Sequence, residues 1–401
     1  KKAADGTDLI VATGKSKEAK NGQAAAIDFT KISYQDITDI GIHTYLITED
    51  PFQGAAEDGS KDGLQANSQK YIVQVEVSDN GDGTLKAEAI SGTDQDGQTI
   101  APDSGVVFTN TYKASGAITL NGSKKLTGRD MEADEFHFTV TETDDRGNPL
   151  KVKDADGNIV DKVVARGSNA AASKDQAAAI TFDPITYDSV DAVGPHTYVI
   201  TEDASKQAGV AVNRQSYRVQ VEVSDNGYGT LKAEVVSATD QNGQTITPAS
   251  GIVFTNNYKA YGSLDLLGTK ILEGRQLTTQ DNFRFVVEEE TRDAEGNVNR
   301  RQVSSAKLTQ ESIAADKQSA KLDFDRINYT LADVGTHTYK IHEVIPEAAE
   351  KIAGITYDTS EYTLVVTVSD DKGDGTLTVE TRDAAGKAVD VTKADTYSFK
   401  N

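Results

Sequence analysis

The tripeptide Phe108-Thr109-Asn110 returns 146 residues later as Phe254-Thr255-Asn256, and 145 residues after that as Phe399-Lys400-Asn401. Other segments keep the same spacing. HTYLITED at 43–50 matches HTYVITED at 196–203 and HTYKIHEV at 337–344. YIVQVEVSDNGDGTLKAE at 71–88 matches YRVQVEVSDNGYGTLKAE at 217–234 and, more loosely, YTLVVTVSDDKGDGTLTVE at 362–380. A 401-residue chain with this period is one unit used nearly three times, so a single fold must account for all of it. GSKKLTGRDM at 122–131 matches GTKILEGRQL at 268–277 but has no third copy, because its place in the first unit falls before residue 1. The first unit is therefore expected to begin part-way through, near the position that Lys151 holds in the second, and boundaries are expected near residues 113 and 259. That divides the chain into 1–113, N-terminally truncated, and two complete units, 114–259 and 260–401.

Within a unit the apolar residues alternate. Tyr217, Val219, Val221 and Val223 face one way while Arg218, Gln220, Glu222 and Ser224 face the other, which is the period of a half-buried strand. Phe136, Phe138 and Val140 mark a second such face. DNGDGT and DNGYGT read as hairpin turns in which glycine supplies positive φ. Many short strands in about 145 residues, with no helical pattern, predict an all-β fold of tandem immunoglobulin-like sandwiches. The Ala-rich stretches 168–180 and 305–321 leave room for a helical turn.

Composition removes several function classes. A formal net charge of −22 argues against nucleic acid or an anionic membrane as partner, since both require basic patches. No apolar run reaches 18 residues, and neither a signal peptide nor a C-terminal sorting signal is present, so the sequence reads as a piece of something longer. Cysteine is absent, which means small extracellular domains here manage without a covalent staple or use one other than a disulfide.

Three polar residues fall on the wrong face. In the VVFTN strand Val106, Phe108 and Asn110 align, and in the last copy Tyr397, Phe399 and Asn401 point inward. Tyr339, Ile341 and Glu343 share a face against Lys340 and His342, and Glu202 and Glu49 hold the same position as Glu343. Ile118, Leu120, Lys124 and Leu126 align against Thr119, Asn121, Ser123 and Lys125, as do Leu264, Leu266, Lys270 and Leu272. Each complete unit thus aims one Lys, one Glu and one Asn at its own core.

An unpaired buried charge costs on the order of several kcal/mol, so such groups must pair, neutralise or react. One reading is a buried Lys–Glu pair with the Asn satisfying leftover donors. The other is chemical. Desolvation favours the neutral amine and the protonated carboxyl, and a proton passed from Lys to Glu yields both. A neutral amine is a nucleophile, and a carboxyl beside the Asn amide can polarise its carbonyl and shuttle protons to departing ammonia. Held in attack geometry, the pair condenses to a Lys–Asn isopeptide bond with no external enzyme.

The Lys-x-Leu-x-Gly-Arg element (Lys124–Arg129, Lys270–Arg275), Tyr-x-Ile-x-Glu (Tyr198–Glu202, Tyr339–Glu343) and Phe-x-Asn (Phe254–Asn256, Phe399–Asn401), taken in order, resemble the isopeptide-linkage domain of streptococcal-type major pilins, which recurs in stalks of Gram-positive surface adhesins. The resemblance implies pilin (CnaB-like) sandwiches crosslinked at Lys124–Asn256 and Lys270–Asn401, with Glu202 and Glu343 as promoters. It also implies an extracellular, cell-wall-anchored protein whose partners are adjacent domains of the same chain, with any host ligand bound elsewhere. Glu49 and Asn110 remain as an orphan site, because Lys1, Lys2, Lys15, Lys17, Lys20 and Lys31 all lie downstream of the missing first strand.

Other signals are weaker. Asp79-x-Gly81-x-Gly83 lacks the ligand alternation of a calcium loop. His337 and His342 are five apart and face opposite sides, a poor metal pair, so no metal or cofactor is expected and His43, His196 and His337 read as structural. No phosphate loop, nucleophile elbow or HExxH motif is present, so the chain is not expected to be an enzyme beyond single-turnover bond formation. A carbohydrate-binding or host-protein-binding adhesin is the competing class, weakened by the absence of Trp; a sortase-polymerised pilin backbone is a third.

Overall fold

Alternation becomes strand wherever a neighbouring strand is available to pair. Lys70–Asp79, Ser216–Asp225 and Glu361–Ser369 are the same long strand in successive repeats, and Tyr217, Val219, Val221 and Val223 are all buried. The computed structural model describes residues 9–20, 22–102, 105–204, 207–211, 213–247 and 251–401. The architecture is all-β and mostly antiparallel, consistent with immunoglobulin-like pilin sandwiches.

Contacts divide the chain into two compact units. One comprises residues to 118 together with 185–195 and 221–234; the other comprises 119–184, 196–220 and 235–401. In the first, an antiparallel sheet runs in the order Gly41–Thr48, Lys70–Asp79, Leu85–Thr93, Thr99–Ile100. Ser60–Lys61, Leu64–Gln65 and Thr111–Tyr112 form a separate small sheet, and Gly14–Ser16 pairs with Ile27–Phe29.

The second unit holds the third repeat complete. A five-stranded sheet, ordered Val298–Lys307, Arg284–Arg292, Gly335–Glu343, Glu361–Ser369, Thr378–Asp383, packs on a three-stranded one, ordered Ser319–Asp323, Leu267–Ile271, Ser398–Lys400. Phe285 and Phe399 meet between them with ring centroids 5.1 Å apart. The second repeat uses the same parts: His137–Thr143 pairs with Val163–Asn169 and Gly194–Glu202, and Gly122–Thr127 pairs with Ala177–Phe182 and Val253–Asn257. In both repeats the lysine strand and the asparagine strand run parallel. No hairpin can join a parallel pair, so these neighbours are the early and final strands of a repeat, brought side by side only by the sandwich.

One open possibility is removed and one expectation is corrected. The Ala-rich stretches 168–180 and 305–321 hold no helical turn: Ala177–Phe182 and Ser319–Asp323 are strands, because Ile180, Phe182, Ala320 and Leu322 alternate into the core and burial overrides alanine's helix preference. Short 3-10 turns instead precede each glutamate strand, at Ile37–Asp39, Val190–Ala192 and Leu331–Asp333, capped by the side chains of Asp36, Ser189 and Thr330. Secondly, Asn110 is exposed rather than buried, since residues 106–110 pair with no strand among the described residues.

Leu364 sits at 0% exposure in the middle of the third repeat's central sheet. Leu364→Ala is expected to destabilise that repeat by about 2–5 kcal/mol, read as a shift of its denaturant midpoint. An unmoved midpoint would show that this position is not core.

Candidate functional site

Lys124 lies mid-strand in Gly122–Thr127, and its inward parity carries the amine into the sandwich at 0% exposure. Its Nζ stands 4.2 Å from the Phe136 ring centroid and donates to Glu202 Oε2 at 2.5 Å. Glu202 ends the strand Gly194–Glu202, in register with Phe138, and so reaches across from the other group of strands. Its second oxygen, Oε1, accepts from Asn256 Nδ2 at 2.5 Å. The parallel register sets Lys124 opposite Phe254 and Leu126 opposite Asn256, so amine and amide lie on one face, two positions apart.

The third repeat reproduces this. Lys270 Nζ donates to Glu343 Oε2 at 2.6 Å, and Asn401 Nδ2 donates to Glu343 Oε1 at 2.8 Å. Lys270 Nζ is 4.6 Å from the Phe283 centroid. Lys270 and Glu343 are both buried, and Asn401 is half-buried at the chain's last position. In the first repeat Asn110 Nδ2 donates to Glu49 Oε1 at 2.8 Å, without an amine. Among the described residues no ion pair reaches Glu49, and Lys15, Lys17, Lys20 and Lys31 are exposed, while Lys1 and Lys2 lie outside the described residues. Glu49 is half-buried, so it does not sit in the sealed apolar site that its counterparts occupy.

Burial is the largest influence on both amines. It pushes Lys124 down to about 8, against the opposing pull of Glu202, and it lowers Lys270 for the same reason. Burial also raises the Glu343 carboxyl, opposed by Lys270. Each shift favours the uncharged partner. One carboxyl group therefore touches the nucleophile with one oxygen and the leaving group with the other. It can take a proton from Nζ and return one to Nδ2 as Nζ bonds to the Asn Cγ and the Cγ–Nδ2 bond breaks, releasing ammonia.

Residues that alternation did not single out complete the site. The Asp358 amide donates to Asn401 Oδ1 at 2.8 Å, and the Asn67 amide donates to Asn110 Oδ1 at 2.8 Å, each holding the carbonyl that an attack would polarise. Asn256 Oδ1 is buried with no hydrogen-bond partner among the described residues. Tyr71, Tyr217 and Tyr362 donate their hydroxyls to the carbonyls of Val107, Val253 and Ser398, pinning each asparagine segment. A constant interval of 36 residues between these partners was the available signal. The arginines of the Lys-x-Leu-x-Gly-Arg element stay out of the site: Arg129 pairs with Glu135, and Arg275 with Asp281. The histidines are structural. His43, His196 and His337 stack on Tyr45, Tyr198 and Tyr339; His196 bonds Glu142, and His337 bonds Glu289 and the Asp333 carbonyl.

A family model, FctA, the Spy0128-like isopeptide containing domain, matches residues 1–113, 120–259 and 266–401. No individual curated protein matches. Among solved structures, the major pilin protein (T-13) from Streptococcus pyogenes serotype GAS131465 is 15% identical over 71% of this chain and 96% of its own, with a TM-score of 0.27. A point mutant of the major pilin from Streptococcus pyogenes is 15% identical over 70% and 96%, at 0.27. The T3.2 major pilin protein from Streptococcus pyogenes serotype GAS13637 is 15% identical over 71% and 97%, at 0.24.

The Lys124 shift has a definite sign. In an Asn256→Ala variant the amine persists, and burial is expected to hold it near the value of about 8 that it has beside Asn256, against an ordinary 10.5. Below pH 8 the burial penalty on the charged form is fully present; between 8 and 10.5 the unfolded chain binds the extra proton, so the lysine's contribution to stability rises with pH and levels off above. Titration of the Lys124 Nζ by NMR in that variant should give a midpoint near 8. A midpoint at or above the ordinary lysine value would mean that Glu202 outweighs burial.

Proposed function

Because the chain belongs to the family of Spy0128-like isopeptide containing domains, we propose that it is a stalk segment of a Gram-positive cell-surface adhesin or pilus, stiffened by spontaneous Lys124–Asn256 and Lys270–Asn401 bonds. Its domains are structural pilin or adhesin modules, each of the last two stabilised by a buried Lys–Glu–Asn triad. Such a protein is extracellular and surface-associated. Anchoring to the cell wall, adjacent domains of the same protein as its partners, and domain limits at 1–113, 114–259 and 260–401 belong to this reading.

The observation that carries it is the double contact of one buried carboxyl. Glu202 and Glu343 each touch an amine with one oxygen and an amide with the other, at 2.5–2.8 Å. A structural ion pair needs no such amide. Glu moves protons and is absent from the product, whereas Lys and Asn become one amide.

The parallel pairing of lysine and asparagine strands gives the bond its mechanical meaning. Each crosslink closes a loop of about 130 residues, worth on the order of 5 kcal/mol in the chain-entropy model of disulfides. Tension entering by the early strand leaves by the last one through a covalent link. The strands between are bypassed.

Intact mass tests the reading. Each bond expels ammonia and lowers the mass by roughly 17 Da, so the whole chain should weigh about 34 Da less than its sequence. An unmodified mass would overturn the proposal. Asn110 is expected to stay unbonded, and peptide mapping that joined it to any lysine of 1–48 would overturn that part.

Glu202→Ala and Glu343→Ala should each restore roughly 17 Da while the sandwich still folds. The variants should also unfold earlier and become open to proteases. Full bond formation in either one would show that the carboxyl is only a structural partner.

A further inference from the structure

Two residues beyond each internal asparagine stands a tyrosine that the chemistry above does not use. Tyr112 donates its hydroxyl to Asp225 Oδ1 at 2.8 Å and accepts from the Gly229 amide at 3.1 Å. Both partners belong to the DNGYGT turn of the following repeat. The backbone then docks beside that turn: the Lys113 amide donates to Gly63 O at 2.8 Å, Ser115 to Gly229 O at 3.3 Å, and Leu231 to Ser115 O at 2.8 Å. Gly63 and Gly229 touch through their backbones, and a Cβ on Gly229 would lie 2.7 Å from the Gly63 nitrogen.

The next boundary repeats every part. Tyr258 donates to Asp370 Oδ1 at 2.9 Å and accepts from the Gly375 amide at 2.9 Å. Lys259 donates to Gly209 O at 2.9 Å, Tyr261 to Gly375 O at 3.0 Å, and Leu377 to Tyr261 O at 2.9 Å. A Cβ on Gly375 would lie 2.9 Å from the Gly209 Cα. The Arg129 guanidinium covers the Tyr258 ring, 5.0 Å from its centroid, and its side chain is 18% exposed. Arg275 holds its carboxylate in the same way, but has no ring over it among the described residues and is 42% exposed. Gly83 and Gly354 are the counterparts of these glycines that no boundary uses, and a Cβ on either would meet nothing within 4 Å.

We propose that Tyr112 and Tyr258 are latches that fasten each repeat to the glycine turn of the next, fixing their mutual orientation. The contacts of each latch fall within a single compact unit. This explains why residues 221–234 of the second repeat cluster with the first. Tyr258 also continues directly from Asn256, so load carried by that strand passes through two residues into the turn at Asp370. The hydroxyl is what makes the latch, because it answers one carboxylate and one turn amide at once, which phenylalanine could not. The latch does not depend on the Lys–Asn bonds.

Hydrogen exchange followed by mass spectrometry on the full chain tests it. Tyr258→Phe, and Asp370→Ala from the other side, should speed exchange at Gly375 and Leu377 about tenfold, as loss of a protecting hydrogen bond does, and leave Gly229 unchanged. Each variant should fall below its own sequence mass by the same amount as the parent chain, since the triads are untouched; this keeps failure of the latch separate from failure of the crosslink. The chain has no cysteine, so spin labels at Lys153→Cys and Lys307→Cys report the second boundary cleanly. Tyr258→Ala should broaden their distance distribution. Unchanged exchange in both Tyr258→Phe and Asp370→Ala, or a distribution as narrow in Tyr258→Ala as in the parent, would overturn the proposal.

Discussion

A lysine and a glutamate at essentially zero side-chain exposure are the constraint on which the second and third repeats depend. Neither group tolerates the interior alone, and removal of one partner leaves a buried charge that typically costs about 3–5 kcal/mol. The surrounding elements serve that contact. The lysine strand is central in its sheet group, Phe136 or Phe283 lies against the amine, and the glutamate strand ends where its carboxyl reaches across the sandwich. The same burial that makes the charged pair costly lowers the lysine and raises Glu343, which is what amide formation requires. Stability and reactivity have one origin here.

The three repeats form a natural series on this theme. All three keep the Glu–Asn hydrogen bond, between Glu49 and Asn110, Glu202 and Asn256, and Glu343 and Asn401. Among the described residues, only the last two have the amine. Where it is missing, Asn110 is exposed and Glu49 half-buried; where it is present, Glu202 and Glu343 are buried. In the last two repeats the lysine strand lies beside the asparagine strand and supplies the amine. A chain without cysteine cannot form a disulfide, so a covalent staple among its side chains must be of another kind.

The boundary between repeats is tied to the site through the same segment. Lys124 and Arg129 belong to one element: Lys124 turns inward to Glu202, while Arg129 turns to Glu135 and to the Tyr258 ring. Asn256 and Tyr258 are likewise two positions apart. Short-range sequence therefore couples crosslink and junction, although their chemistries are separate. The glycine pairs 63/229 and 209/375 belong to the junction alone, where backbones approach too closely for any side chain.

Much of this was legible from alternation and repetition. A side-chain period of two assigns every strand residue to a face, so Lys124 rather than Lys125, Glu343 rather than His342, and Asn401 rather than Lys400 could be placed inward from the sequence, and turn glycines at positive φ could be read in the same way. The repeat itself showed that one fold had to serve throughout. Alternation assigns faces but not neighbours. The parallel pairing of the lysine and asparagine strands, the amides of Asn67 and Asp358 on the Asn carbonyls, and the turns that receive Tyr112 and Tyr258 are contacts between residues 43–130 apart. Only the closed sandwich brings such residues together. The exposure of Asn110 shows the same limit from the other side. Its parity is that of Asn256, but a strand face is buried only when another strand lies over it, and that is a property of the tertiary structure.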